Sequence, residues 1–535
     1  MKKILLGTLL IGAMFGKAIA QEVSVDWGTS FDAKTEVQKI IGEQDEVMYV
    51  FSKKGKKTFL QGFTGEQNDL KFSEQFLLPE YNGEKTTVID MVMTDVGPLA
   101  IGYQYSKKTG KVKVYGQKFT LGGKIQGKGI VILETVNRVK VKNNKVVIDL
   151  SRDKSKIMFT YMRNEKKEDI LHADIVVISN DLDVLSTRTV DHSFEEAKGE
   201  DRFFQYEVHL DNDGSYISSV QEAIYRKNEM PDYSFTIRDF DSEGEQVAEK
   251  TINFQDKGIY KPYIFFDEKE NSFRVVGMYA EFKGKKNRIP GYSGVYSAVI
   301  ERGSLDVLEK QSTVFPDEFL KKFYSEKKIA KANSKDKNLY VSSGFGIDHV
   351  FITGEGNMIV SAEYYTKERK QDSKGNYYTV WTFGAIMVMS INPEGELNWI
   401  NHVPKYQVTS VRDLPIGLGG ITISIKMAEP KILNNWSYVP GLGENHFYIL
   451  FNDHRKNTGE EKEGKSKALV NPKKSIPFKI TMDLESGKFT KEAMISGEQE
   501  ETYMAPRVIH RIADNEFVVW AVKRKENKFG RVKFE

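Results

Sequence analysis

Cysteine is absent from the 535 residues. That excludes disulfides, thiolate metal sites, a cysteine nucleophile and a lipidated cysteine at a processed N-terminus. Long apolar runs are nearly as scarce. The stretch ILLGTLLIGAMF, after Lys2 and Lys3, has twelve residues. A helix of that length rises only about 18 Å, too short for a bilayer. Ala18-Ile19-Ala20 supplies small residues where a signal peptidase reads, so residues 1–20 are expected to be a signal peptide cleaved after Ala20. The mature chain is then periplasmic or secreted, with no transmembrane segment and no lipid anchor.

A charge excess is also missing. The sequence has 78 basic and 75 acidic residues, and loss of Lys2, Lys3 and Lys17 with the signal leaves 75 against 75. Nothing in that balance recommends a nucleic acid or an anionic membrane as partner. Histidines number only eight (172, 192, 209, 349, 402, 446, 454 and 510), and no pair has metal-site spacing. No metal and no cofactor is expected. Without disulfides an exported chain needs a large core, and 12% aromatics over 515 or so residues supply one.

What the chain does contain is repetition. One turn type precedes an apolar strand eight times, as in GEQDEVMYVF, RDKSKIMFTY and ADNEFVVWAV. A second, polar and mostly lysine-rich, follows each of those strands, beginning at 51, 105, 161, 225, 282, 365, 451 and 522. A third precedes an outer strand seven times, as in TGEQNDLKF and NPEGELNW, and its missing copy falls at the C-terminus. The chain stops at FGRVKFE, while VSVDW (23–27) is a spare strand at the other end. Four strands per repeat with a period near 57 predict an all-β fold, a β-propeller of eight four-stranded blades. The N-terminal strand is expected to complete the last blade, and seven blades is the alternative count. A pair of β-sandwiches would explain the strands but not eight ordered repeats.

With those repeats the mature chain, 21–535, resembles the β-propeller superfamily along its whole length as a single domain. From about 316 onward it is also similar to a group of uncharacterised exported bacterial propeller-like proteins. That likeness rests on AEYY (362–365), GELNWINHVPKYQ (395–407) and FND (451–453). It implies a fold and an exported location; no functional residue is carried over. One segment breaks the pattern: in 316–332, Phe319, Leu320 and Phe323 have helical spacing after Asp317 and Glu318, which predicts a short amphipathic helix packed on the ring.

Three motif matches fail on context. GEEKEGKS (459–466) fits the phosphate-loop pattern, but it lies in a long polar hairpin loop and its glutamates repel phosphate. DNDGS (211–215) would put His209 and Val220 at calcium-ligand positions that need oxygen. GYSGV (291–295) has a glycine too early for a nucleophile elbow and no helix after it. Carboxylate pairs for glycoside chemistry cannot be selected among 75 acids.

The loops are unequal. Enlarged ones at 316–345, 366–379, 403–440 and 453–475 all join second to third strands or one blade to the next, so they share one face. All fall in blades six and seven, and long ordered loops on a rigid scaffold are where binding occurs. They carry Tyr377, Tyr378, Trp381, Tyr406, Trp436 and Tyr438 with Lys405, Arg412, Asp413, Asp453 and Arg455. The expected function is recognition of a protein or carbohydrate, with Trp381, Trp436 and Tyr438 as apolar anchors and Tyr406, Lys405, Asp453 and Arg455 among the polar groups. Two alternatives stand beside it: the aromatics pin the loops to the ring, or the protein is a propeller hydrolase of glycans or peptides.

Overall fold

A computed structural model of the chain describes residues 24–32, 34–65, 68–78, 85–106, 108–136, 146–164, 170–193, 201–225, 232–253, 257–267, 270–281, 291–335, 338–418, 421–425, 431–457, 466–494, 502–523 and 526–534. The expected signal segment and most of the phosphate-loop match (459–465) lie outside them. Eight antiparallel sheets follow one another along the chain, at 36–76, 87–136, 146–193, 201–253, 257–314, 345–412, 439–493 and 502–533. The protein is an eight-bladed β-propeller.

The burial of each strand follows from its place in the blade. Second strands such as Val47–Lys54 are buried over most of their length because sheets cover both faces. Outer strands such as Asp69–Phe76 are largely exposed and polar. Each blade shares an apolar core with the next, from Tyr49 and Met91 between blades one and two to Val388, Tyr448 and Phe517 across blades six to eight. Blade eight also shares one with blade one, through Val37, Val50, Trp520 and Phe529.

Blade eight takes its fourth strand from the other end of the chain. Ser24–Trp27 pairs antiparallel with Glu526–Lys533, Ser24 opposite Lys533 and Trp27 opposite Gly530. Only glycine fits there, since a Cβ on Gly530 would stand 2.7 Å from the Trp27 ring. Arg531 then bridges to blade one, donating to both Glu43 carboxylate oxygens at 2.8 and 3.0 Å.

The two faces differ as the connectivity requires. On the face of the short turns, neighbouring blades are stitched together. Gln44 donates to the Asp95 carbonyl, Asn180 to the Asp95 carboxylate, and the Asp153 amide to Asn212. The opposite face carries the insertions. In the first, the expected single helix is two: α1 (Asp317–Lys321) buries Phe319 and Leu320, whereas α2 (Glu326–Asn333) buries nothing. The apolar triplet explains α1; α2, written EKKIAKAN, offers only Ile329 to a core.

One buried histidine makes the fold acid-sensitive. His192, on an outer strand, is packed edge-on against Tyr206 and receives Arg238 Nη1 at 2.7 and 3.0 Å from its ring nitrogens. Burial, and then the Arg238 charge, hold its imidazole at about 3, below the usual 6.5. A folded value below the unfolded one means that its contribution is complete above about pH 6.5 and is lost as pH falls toward 3. Each pH unit in that window is worth about 1.4 kcal/mol. Between pH 7 and 5, His192→Gln should therefore lose less stability in urea unfolding than wild type. An equal loss would show that His192 titrates normally.

Candidate functional site

Blade six is built differently from the others. Its second and third strands, Met358–Gln371 and Tyr377–Ile391, have 14 and 15 residues. Their counterparts in blades one and four, for example, have 8 to 10. The segment 366–379 is thus not an enlarged loop but a hairpin extending the blade, closed by Asp372, whose carboxylate accepts from the amides of Lys374 and Asn376 at 2.9 Å. A third strand, Gln407–Arg412, pairs along the free edge of Tyr377–Ile391, from Phe383 opposite Gln407 to Tyr378 opposite Arg412. Together they make a three-stranded platform projecting from the ring.

Alternation gives the platform two faces. Thr379, Trp381 and Phe383 are buried, and Trp381 and Phe383 form a small core with Leu433, Trp436 and Leu469. Lys367 lies over the Trp381 ring at 5.6 Å. The intervening Tyr378, Val380 and Thr382 are only half-buried, as is Val408 across the sheet. Tyr406, one residue before the buried Gln407, is 43% exposed. Tyr406 precedes Val408 by two residues and so shares its parity along the chain, and Lys370, bonded to Glu368 at 2.6 Å, stands opposite Tyr378. Arg412 closes the rim beside Asp372.

Beneath the platform lies a buried polar network. Lys405 Nζ donates to the Glu363 carboxylate and, at 3.1 Å, to Gln407. Ser437 Oγ donates to the other Glu363 oxygen and its amide to Gln407, both at 2.8 Å. Gln407 reaches the Asn452 carbonyl, and Asn452 and Asn435 both donate to the Met504 carbonyl of blade eight. Tyr438 donates to Ser361 at 2.8 Å and lies 3.3 Å from Asp348. Burial pushes the Lys405 ammonium down, against the opposing pull of Glu363. Ser437 holds φ at +84°, a conformation that costs energy for a non-glycine residue and that its two hydrogen bonds offset. The motifs AEYY, KYQ and FND meet here, as Glu363, Lys405 with Gln407, and Asn452 with Asp453.

Several expected surface residues are therefore interior. Trp381, Trp436 and Tyr438 are 1%, 0% and 2% exposed, and Lys405 and Asp453 are equally closed off. This corrects their reading as exposed anchors and polar edge: an insertion this long needs a core of its own, and its aromatics fill it. Asp453 accepts from Lys491 at 2.9 Å and from Asn457 at 2.8 Å, and burial pushes its carboxyl up. Asp413 is buried and clamped by Arg369. Tyr406 and Tyr377 do reach the surface, as does Arg455, which has contacts of its own.

Two residues that sequence reasoning missed stand on inner strands. Asp348 is exposed; the surrounding protein, and then the Glu363 charge, push its carboxyl up, against the hydrogen bonds it accepts from the Glu363 amide and Tyr438. Arg507 is exposed on blade eight. Among the described residues no three His, Cys, Asp or Glu side chains are grouped to hold a metal ion, and no helix is long and apolar enough to cross a membrane.

No family model and no curated protein matches the chain. Among solved structures, a Dos1 propeller aligns over 95% of each chain at 10% identity and TM-score 0.42. An uncharacterised protein from Listeria monocytogenes aligns over 84% of this chain and 94% of its own, at 10% identity and TM-score 0.31. A post-proline cleaving enzyme from Rickettsia typhi aligns over 92% of this chain and 58% of its own, at 8% identity and TM-score 0.35. The propeller assignment stands on the eight sheets and their shared cores.

Proposed function

We propose that the protein is an exported binding module that recognises a protein or carbohydrate partner through the insertions of blades six and seven. The observation that supports this is the open face of the platform: a sheet rooted in a buried network, one side packed and the other presenting Tyr378, Val380, Val408 and Tyr406 inside a rim of Glu368, Lys370 and Arg412. Rigid aromatic and β-branched groups ringed by charges suit a partner surface, and a flat face suits a protein more than a sugar chain. The recognition residues are then Tyr378 and Tyr406. Trp381, Trp436 and Tyr438 support them from inside.

A hydrolase reading draws on Asp348, whose raised carboxyl accepts a hydrogen bond from the Glu363 amide. Glycoside chemistry needs two available carboxylates. Glu363 is held by Lys405 and Ser437, so the pair offers one. The binding reading is the better supported.

Partners of the mature protein would be sought by glycan array and by capture of proteins from the cell surface, and then titrated. Tyr378→Ala combined with Tyr406→Ala should weaken the interaction by about thirtyfold or more, as truncated aromatic anchors do, and leave melting unchanged. A partner that binds this double variant as tightly as wild type would place recognition elsewhere.

A further inference from the structure

Nine described arginines are ion-paired with a carboxylate, from Arg163 with Asp174 to Arg531 with Glu43. Arg507 has neither an ion pair nor a hydrogen bond among the described residues, although it is exposed on an inner strand. Its position is built. The ladder between Thr502–Ala513 and Glu516–Lys523 breaks between Ala505 and Ile509, where Pro506 lacks an amide hydrogen. Pro506 and Val508 are buried and Arg507 is turned out. Asn452 fixes the strand just before the bulge, donating to the Met504 carbonyl and accepting from its amide.

The guanidinium does not wave in solvent. Its centre lies 5.6 Å from the ring of Phe383, at the root of the platform, so it reaches from blade eight to blade six. Tyr365, 38% exposed, packs its ring 4.9 Å from the same Phe383. Lys405 lies 6.0 Å from that ring and is neutralised by Glu363, so of the two cations over Phe383 Arg507 is the one without a carboxylate partner among the described residues.

We propose that Arg507, Phe383 and Tyr365 form a seat for a carboxylate-bearing ligand. A guanidinium fork matches a planar carboxylate bidentately, and stacking on a ring orients the fork before the ligand arrives. A single positive charge suits a singly charged carboxylate better than a phosphate dianion, which needs several donors. The exposed Tyr365 ring adds an apolar wall for the group that bears the carboxylate. That group is the pyranose of a uronic acid or the last residue of a peptide. The seat is separate from the platform's open face, so it goes beyond the binding reading above.

The test titrates the mature protein with two matched pairs of probes, followed by calorimetry: trigalacturonate against galactotriose, and a Phe-terminated tripeptide acid against its amide. At least one acid should bind and its neutral counterpart should not. Arg507→Gln should weaken that acid roughly tenfold to a hundredfold, the range of a lost charged hydrogen bond, and Arg507→Lys should fall between. Binding of the uronide alone would assign the seat to acidic glycans, and of the peptide alone to chain termini; either supports it. Because Arg507 is exposed and unpaired among the described residues, both variants should melt as wild type does. The proposal is overturned if neither acid binds at millimolar concentration, if acid and neutral forms bind equally, or if Arg507→Gln binds undiminished. Loss of platform binding in the Tyr378, Tyr406 variant would leave these titrations unchanged, so the two proposals fail separately.

Discussion

Deleting residues 21–28 should lower the stability of the propeller by on the order of 5 kcal/mol in urea unfolding, because an apolar blade edge is left unpaired. The deletion removes every partner of the outer edge of blade eight along 530–533. It strips the Trp27 indole from Gly530 and takes Val25 and Trp27 from the core that blades six to eight share. Phe31, stacked on Phe529 at 5.1 Å, would lose the strand that leads into it. The loss should appear as a lower urea midpoint, and a synthetic peptide of residues 21–30 should restore part of it. Unfolding identical to that of the chain that retains residues 21–28 would show that this pairing contributes nothing, and the blade would then stand on its own three strands.

That strand was legible because an unpaired apolar edge is a physical deficit. Seven outer-strand turns for eight blades left one edge open, and VSVDW was the one strand without a place. The blade boundaries were legible for a similar reason: the turns recur in fixed order, and each apolar second strand needs cover on both faces. The platform was not. KERKQ and YYTVWTF are separated by a turn and read as a polar loop with aromatics, because the first strand of the extension is charged at nearly every position and shows no apolar alternation. Burial of Trp381 and Trp436 was equally hidden, since an aromatic in an insertion has the same residue code whether it faces a partner or a private core. Long-range pairing hid the rest. Glu363 meets Lys405 after 42 residues and Asp453 meets Lys491 after 38, and no local pattern ties either pair. The signal that was available is compositional: the stretches AEYY, KYQ and FND, which carry the likeness to a group of uncharacterised proteins, put acid, base and amide where one network needed them.

The network's weight should show in a double-mutant cycle at Glu363 and Lys405. Lys405→Met removes the cation and leaves the Glu363 carboxylate, 6% exposed, with Ser437 alone for company. Breaking a buried ion pair from one side costs about 3–5 kcal/mol, because the remaining charge stays out of water without its partner. Glu363→Gln should be similarly costly from the other side, leaving an ammonium with no exposure to solvent. Combining the two removes both charges, and the double variant should recover at least about 2 kcal/mol over the sum of the singles, the coupling expected of groups in direct contact. Urea unfolding monitored by far-ultraviolet circular dichroism gives the four free energies. Tryptophan fluorescence adds a local reading, since Ser437 is bonded to Glu363 and Gln407 and sits next to the buried Trp436. The Lys405→Met spectrum should shift to the red before global unfolding, as the loop carrying Trp436 loosens from the platform. Additive effects with no early shift would mean that the pair is a passenger in a site held by its aromatics. The platform would then owe its position to the Trp381, Leu433 and Trp436 core rather than to the charges beneath it.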